Sequence, residues 1–253
     1  MYKIIRKVIH LTFLKTIGRT SLTIFRNILL GIGLVLIPIL SGLIMSIMQS
    51  LVFVPEDFIM WSVGNSVPSL ALIFFIIMAS ILVYYINTKK HSPEEKLFIT
   101  VFRFVRRHRK ATIAALLGFS IIIGYYMFTN VSVISNDRIV THSFFHPQGK
   151  EYSYTDIEAL HTGLYNKTVP FTSHQKGEFY YIIELKDGKK INLEHVGGVK
   201  NHEDSWLTFM KLDQIFTKLD VTKNIDAEDV DFYLNSLDPL YRNRIQSIFS
   251  NVK

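Results

Sequence analysis

Histidines and carboxylates are the side chains in this 253-residue sequence that could do chemistry, and their spacing argues against most of it. Six of the nine histidines, His142, His146, His161, His174, His195 and His202, lie in the C-terminal half. Neutral imidazole is the commonest metal ligand, but a closed zinc site takes four ligands at recurrent spacings. His142 and His146 would share a helix face, yet their segment reads as strand and turn. Surface or hydrogen-bonded structural histidines are therefore expected, and no metal is assigned. The acidic run Asp226, Glu228, Asp229 and Asp231 lacks the glycine that a calcium loop needs at its sixth position. Acids at a helix start, where the dipole favours them, are the better reading. The absence of cysteine removes disulfides, thiolate metal sites and cysteine nucleophiles together. No nucleophile elbow, phosphate-binding glycine loop or Ser-His-Asp order occurs. No catalytic residue and no cofactor are assigned, and the chain reads as a non-enzyme. Catalysis would need groups that converge only in the fold.

The elements that position these residues begin with a membrane. Residues 28–54, 67–86 and 111–128 contain no Lys, Arg, Asp or Glu. At 1.5 Å per residue each is long enough for a hydrocarbon core of about 30 Å, so three transmembrane helices are expected within a membrane region over residues 1–130. The net charge of +7 divides unevenly, with 14 Lys and Arg against 4 Asp and Glu up to Asn130, and 14 against 17 beyond it. The bases of the first half fall in two blocks, 1–27 and 88–110, which the positive-inside rule puts in the cytoplasm. A multi-pass cell-membrane protein follows, with a cytoplasmic N-terminus and an extracytoplasmic C-terminal half. Because the bases flank the spans, topology explains them without a nucleic-acid partner. The first run is about twice the 7–15 residues of a signal-peptide core and is read as a retained anchor.

Lys3, Arg6 and Lys7 share one face of a short amphipathic segment, opposite Ile4, Ile5 and Val8. Ser92-Pro93-Glu94-Glu95 is a helix-start signature, and the helix it opens leads to Arg103, Arg106, Arg107, Arg109 and Lys110. Both groups are expected to anchor on anionic headgroups of the cytoplasmic leaflet. Gly42, Ser46 and Ser50 recur every fourth position, as do Ala114 with Gly118 and Ser120 with Gly124. Such small-residue faces let helices approach closely and are expected to pack the spans together or to pack a second copy. Pro38 should bend the first span. No ionisable side chain sits at membrane depth, so transport by this chain alone is not expected.

From Val131 the pattern changes to short alternating segments. Ser132 to Ile134 and Arg138 to Val140 flank an Asn136-Asp137 turn. Phe179 to Leu185 and Lys190 to Val196 flank Asp187-Gly188, read as a type I′ hairpin turn. Asp204 or Ser205 caps a helix through about Leu219. This order resembles the bacterial pleckstrin-homology-like domains attached to membrane helices. The matching features are Asn136-Asp137-Arg138-Ile139, Tyr152-Ser153-Tyr154-Thr155-Asp156-Ile157, the Asp187-Gly188 hairpin and the terminal helix. The resemblance covers residues 131–220 and implies a β-rich α+β domain built as a partly open barrel closed by a C-terminal helix. It carries no site residues across. Residues 221–253 are expected to form a helical extension, with Asp238-Pro239 starting its second helix. The functional expectation is a membrane protein presenting an extracytoplasmic binding or assembly module to a protein partner or a second copy. The alternatives are a cytoplasmic-facing lipid-sensing protein and an accessory subunit of a transporter or envelope signalling complex.

Overall fold

Strand and helix boundaries follow from side-chain alternation and from capping. The computed structural model describes residues 39–64, 107–168, 176–226 and 237–251, with isolated positions within 31–36, 67–75 and 234–235. The chain divides into two units, Met1–Ser46 and Ile47–Lys253, and the second holds all the strands described here. In chain order the elements are α1 (Ile39–Phe53), β1 (Phe58–Val63), α2 (Arg109–Thr129), β2 (Val131–Ser135), β3 (Arg138–Thr141) and β4 (Lys150–Ser153). Then come β5 (Ile157–Leu164), β6 (Phe179–Leu185), β7 (Lys190–Asn192), β8 (Val196–Val199), α3 (Ser205–Lys218), β9 (Thr222–Asp226) and α4 (Pro239–Ser250).

The strands form a five-stranded sheet, ordered β4-β3-β2-β1-β8, and a four-stranded sheet, ordered β7-β6-β5-β9. Pairing is antiparallel except between β5 and β9. Met60, Ile134 and Ile139 from the first sheet meet Leu160, Tyr181, Ile183 and Leu185 from the second, and Phe209, Leu212 and Phe216 of α3 close the cluster. A turn of 3₁₀ helix, Tyr154–Asp156, carries the chain from one sheet to the other. It is fixed by a capping box in which Ser153 accepts from the Thr155 amide and Asp156 accepts from the Ser153 amide.

The helices of this domain end and begin as their caps dictate. Asp204 accepts from the Trp206 amide at the start of α3, and Asp238 accepts from the Leu240 amide at the start of α4, where Pro239 has no amide to leave unpaired. At its far end α3 closes with the Val221 amide on the Phe216 carbonyl and the Asp220 amide on the Thr217 carbonyl. Asp220 takes the left-handed conformation that this closure requires, at φ 56°. β8 pairs with β1 through two glycines because Trp61 occupies the space where their side chains would be. A Cβ on Gly197 would lie 2.2 Å from the Trp61 ring.

The expectation of three transmembrane helices followed by a partly open barrel is corrected by this architecture. Among the described residues one helix, Lys110–Thr129, is long and apolar enough to cross a membrane, with mean hydropathy 1.9. Within 28–54 the continuously described helix is α1, about 22 Å long at 1.5 Å per residue; residues 31–33 and 36 are also helical, and 28–30, 34–35 and 37–38 lie outside the described residues. The run 67–86 lies outside the described residues apart from isolated positions. Freedom from charge sets a ceiling on the length of a span without fixing where a helix stops, and aromatic and β-branched residues suit a strand equally. Residues 58–63, read as part of a short loop between spans, are instead the strand that joins β2 to β8. The β-rich part is two sheets, drawing β1 from before residue 131 and β9 from beyond residue 220.

Candidate functional site

The four-stranded sheet has one face on the core and one face free of it. Register places His161 opposite Ile182 and Gly163 opposite Tyr180 across β5 and β6, and Ile182 opposite Asn192 and Glu184 opposite Lys190 across β6 and β7. Because side chains alternate along a strand, His161, Tyr180, Ile182, Glu184, Lys190 and Asn192 share the outer face. None of the first four is fully buried.

Glycine makes the centre of this face. A Cβ on Gly163 would lie 2.7 Å from the Tyr180 hydroxyl and 2.8 Å from the Asp226 carbonyl, so the Tyr180 ring lies across β5 only because residue 163 has no side chain. The Tyr165 ring sits beside it, with centroids 4.8 Å apart. The Tyr165 hydroxyl donates to Glu194 at 3.2 Å, and the Asn192 amide donates to the same hydroxyl at 3.3 Å and to Glu194 at 3.1 Å. Partial burial, followed by the Glu194 carboxylate, holds the Tyr165 phenol above its ordinary pKa. Burial and then Asp226 do the same to Tyr180. Both phenols are therefore protonated donors at neutral pH. At the other end His161 Nε2 meets Glu184 at 2.5 Å and Lys190 reaches the same carboxylate at 3.4 Å. The hydrogen bond from His161 holds Glu184 below the usual carboxylate range. Two phenol rings tilted by 35° to each other, an amide and a His-Glu-Lys chain thus share one half-exposed sheet face, which offers aromatic surface, donors and acceptors.

The apolar helix is joined to the five-stranded sheet through a close-packed junction. A single residue, Asn130, separates α2 from β2. Gln49, 2% exposed, donates to the Met127 carbonyl at 2.9 Å and the Phe128 carbonyl at 3.1 Å, satisfying groups that a helix end leaves without partners. Phe53 packs on Phe128 and on His142, with centroids 5.1 Å and 4.5 Å apart. A Cβ on Gly64 would strike the Asn130 amide at 2.4 Å, so this crossing too needs a glycine. His142 is buried, its Nδ1 lies 3.0 Å from the Pro147 carbonyl, and its Nε2 has no hydrogen-bond partner. Burial lowers its pKa below the ordinary histidine value.

Beneath the four-stranded sheet a buried ion pair closes the domain. Lys223 of β9 and Asp213 of α3 lie 2.6 Å apart with side chains 4% and 1% exposed. Tyr181 donates to Asp213 at 3.0 Å and the Asn251 amide donates to it at 2.8 Å, while Lys223 also reaches the carbonyls of Ile248 and Asn251.

Of the residues singled out in the sequence, His142, His161 and His195 stand at three separate places, and His174 lies outside the described residues, as do Glu228, Asp229 and Asp231. Among the described residues no group of three His, Cys, Asp or Glu could hold a metal ion. An added Cβ at Gly42, Gly118 or Gly124 meets no atom within 4 Å, while Ser50 and Ser120 donate to carbonyls of their own helices. Ala114 is likewise exposed, and Ser46 is partly exposed. Lys3, Arg6, Lys7, Arg103 and Arg106 lie outside the described residues; Arg107 and Lys110 are exposed, and Arg109 begins α2. Sequence reasoning missed Gln49, Asp213, Lys223 and Tyr165. Gln49 alone left a signal, as an amide near the end of an apolar run. Comparison of the chain with family models, with curated proteins and with solved structures gives no match.

Proposed function

We propose that this chain is a membrane-anchored protein that holds a two-sheet domain at the extracytoplasmic surface, where the Tyr165 and Tyr180 face takes part in binding or assembly with a protein partner. The observation that carries the reading is α2: none of its apolar window is buried by the rest of the chain, and Leu117, Phe119, Ile121 and Ile122 are each at least half exposed. A helix apolar on every side needs burial, and a bilayer supplies it. The bases Arg106, Arg107, Arg109 and Lys110 gather at its N-terminal end, and its last turn has none. The positive-inside preference then favours a cytoplasmic start and an outward exit. Kinship with pleckstrin-homology-like membrane proteins is part of this proposal, supported by the Ser153-Asp156 capping box and by strands followed by the capped helix α3.

The chain has no cysteine, so introduced thiols report without background. Asn136 is exposed at the turn of β2 and β3, roughly 17 Å from the membrane end of β2 at about 3.4 Å per residue. Asn136→Cys should react with a membrane-impermeant maleimide in intact cells, and Arg107→Cys only after permeabilisation. Reversed labelling would place the domain in the cytoplasm and favour the lipid-sensing alternative. Labelling of both in a soluble fraction would remove the anchor altogether.

A further inference from the structure

We propose that the loop joining β3 to β4 dips into the bilayer on the domain's side, with Phe144 and Phe145 seated at the boundary between headgroups and acyl chains. The proposal rests on the membrane reading of α2 and adds a second point of contact to it. Phe145 is 83% exposed, more than any other large apolar side chain described. Phe144 packs a ring against it while most of its surface stays open, yet the loop that carries it is held firmly. The Ser143 amide donates to the His146 carbonyl and the His146 amide donates back to the Ser143 carbonyl, both at 3.2 Å. His142 reaches the Pro147 carbonyl, and Gly149, at φ 94°, closes the loop against Val140 and His142 where a Cβ would be 2.7 Å from Val140. A tight, braced turn thus displays two phenylalanines at its tip.

Their position says what they meet. Phe144 packs edge-on against Tyr125, with centroids 5.2 Å apart, and Phe145 packs edge-on against Phe144 at the same distance. Tyr125 lies one turn before the end of α2, directly above the exposed Ile121 and Ile122. The aromatic tip therefore continues the apolar surface of the helix at its domain end, the level at which tyrosine and other aromatics collect in membrane proteins. Lysines stand at the same end of the domain. Lys150 pairs with Thr141 at the loop end of β3, and its ammonium meets Asp187 at 2.8 Å, which brings the hairpin with exposed Lys186 to that end. Aromatic rings below and ammonium groups above match the acyl boundary and the phosphates of a lipid leaflet. A protein partner or a second copy offers no reason for that layering.

The test uses the full chain in vesicles of phosphatidylethanolamine and phosphatidylglycerol, spin-labelled at one introduced cysteine at a time. Phe145→Cys should show oxygen accessibility exceeding that of a water-soluble nickel complex, at a depth of about 5–10 Å. Leu117→Cys should lie deeper, and Asn136→Cys should favour nickel. Because residue 145 is almost wholly exposed, the substitution leaves the core untouched. A lipid signature at 117 with a water signature at 145 overturns the dip and leaves the anchor standing. A water signature at 117 overturns both. Dipolar broadening between labels at 145, removed by dilution with unlabelled chain, would show a second copy on the loop and overturn the proposal.

Discussion

Lys223→Met isolates the buried ion pair that ties β9 and α4 to α3. In the wild type all three ammonium protons are taken, by Asp213 and by the carbonyls of Ile248 and Asn251. The substitution keeps the volume of the aliphatic stem and leaves the Asp213 carboxylate, 1% exposed, with only Tyr181 and Asn251 as donors. Breaking one side of a buried pair costs about 3–5 kcal/mol, chiefly the penalty of the stranded charge. For a unit of this size that is a fall of about 6–20 °C in midpoint temperature. The assay is a thermal melt of the detergent-solubilised full chain followed by near-ultraviolet circular dichroism, since Tyr181 and Trp206 both sit in the packed region. Adding Asp213→Asn should recover at least half of the loss, because the amide removes the charge and keeps the contact with Tyr181. A loss below about 1 kcal/mol for the single variant, or strict additivity in the double, would refute the argument that the charge itself is buried.

Three further outcomes follow from the same geometry. Gln49→Leu removes the donor to the Met127 and Phe128 carbonyls and should cost about 1–3 kcal/mol in the same melt, whereas an unchanged midpoint would mean that those carbonyls find other donors. Gly197→Ala drives a methyl into the Trp61 ring and should cost about 1–3 kcal/mol with a shifted tryptophan emission; wild-type emission and stability would show that β8 moves aside. His142 has a folded pKa below its unfolded value of about 6.5, so the unfolded chain binds the extra proton and stability should fall as pH drops through 6.5 toward the lowered folded value. Lys189 adds to that repulsion of a proton, and His142→Asn, which keeps a donor for Pro147, should flatten the profile between pH 8 and pH 5; an equally steep profile would assign the effect to other groups.

Local chemistry was legible where it depends on neighbours in sequence. The Asp204 and Asp238 caps, the Asn136-Asp137 turn and the hairpin of β6 and β7 stand where their residues imply. The hairpin turn itself differs in type. Gly188 has φ 79° but Asp187 is not left-handed, and the Gly188 amide meets the Leu185 carbonyl while the Leu185 amide meets Lys189. This is a three-residue loop with glycine at its left-handed position. The type I′ reading assumed that Asp187 would turn left-handed, whereas it keeps an ordinary φ and accepts from the Lys189 amide. The insertion of β1 was not legible at all. FIMWSV between two apolar runs reads as a short loop joining two spans, and only pairing with residues 68–77 positions away makes it a strand. The outer face of the four-stranded sheet was hidden for the same reason, since Tyr165, Tyr180 and Asn192 become neighbours only through register.

Lys223 shows why an edge strand would carry a buried charge. β9 lies at the edge of its sheet, bonded to β5 on one side only, and its alternation Thr-Lys-Asn-Ile-Asp puts Lys223 and Ile225 toward the core. An open edge invites another chain to pair, and a lysine pointing inward makes that costly, because its ammonium must find the same set of acceptors in any alternative arrangement. Here those acceptors come from two helices: Asp213 on α3, and the Ile248 and Asn251 carbonyls in and just after α4. The ion pair thus makes β9 compatible with one partner sheet and one closing helix. The price in desolvation is recovered as specificity, and that specificity keeps the opposite face of the same sheet, with Tyr165 and Tyr180, in a single register.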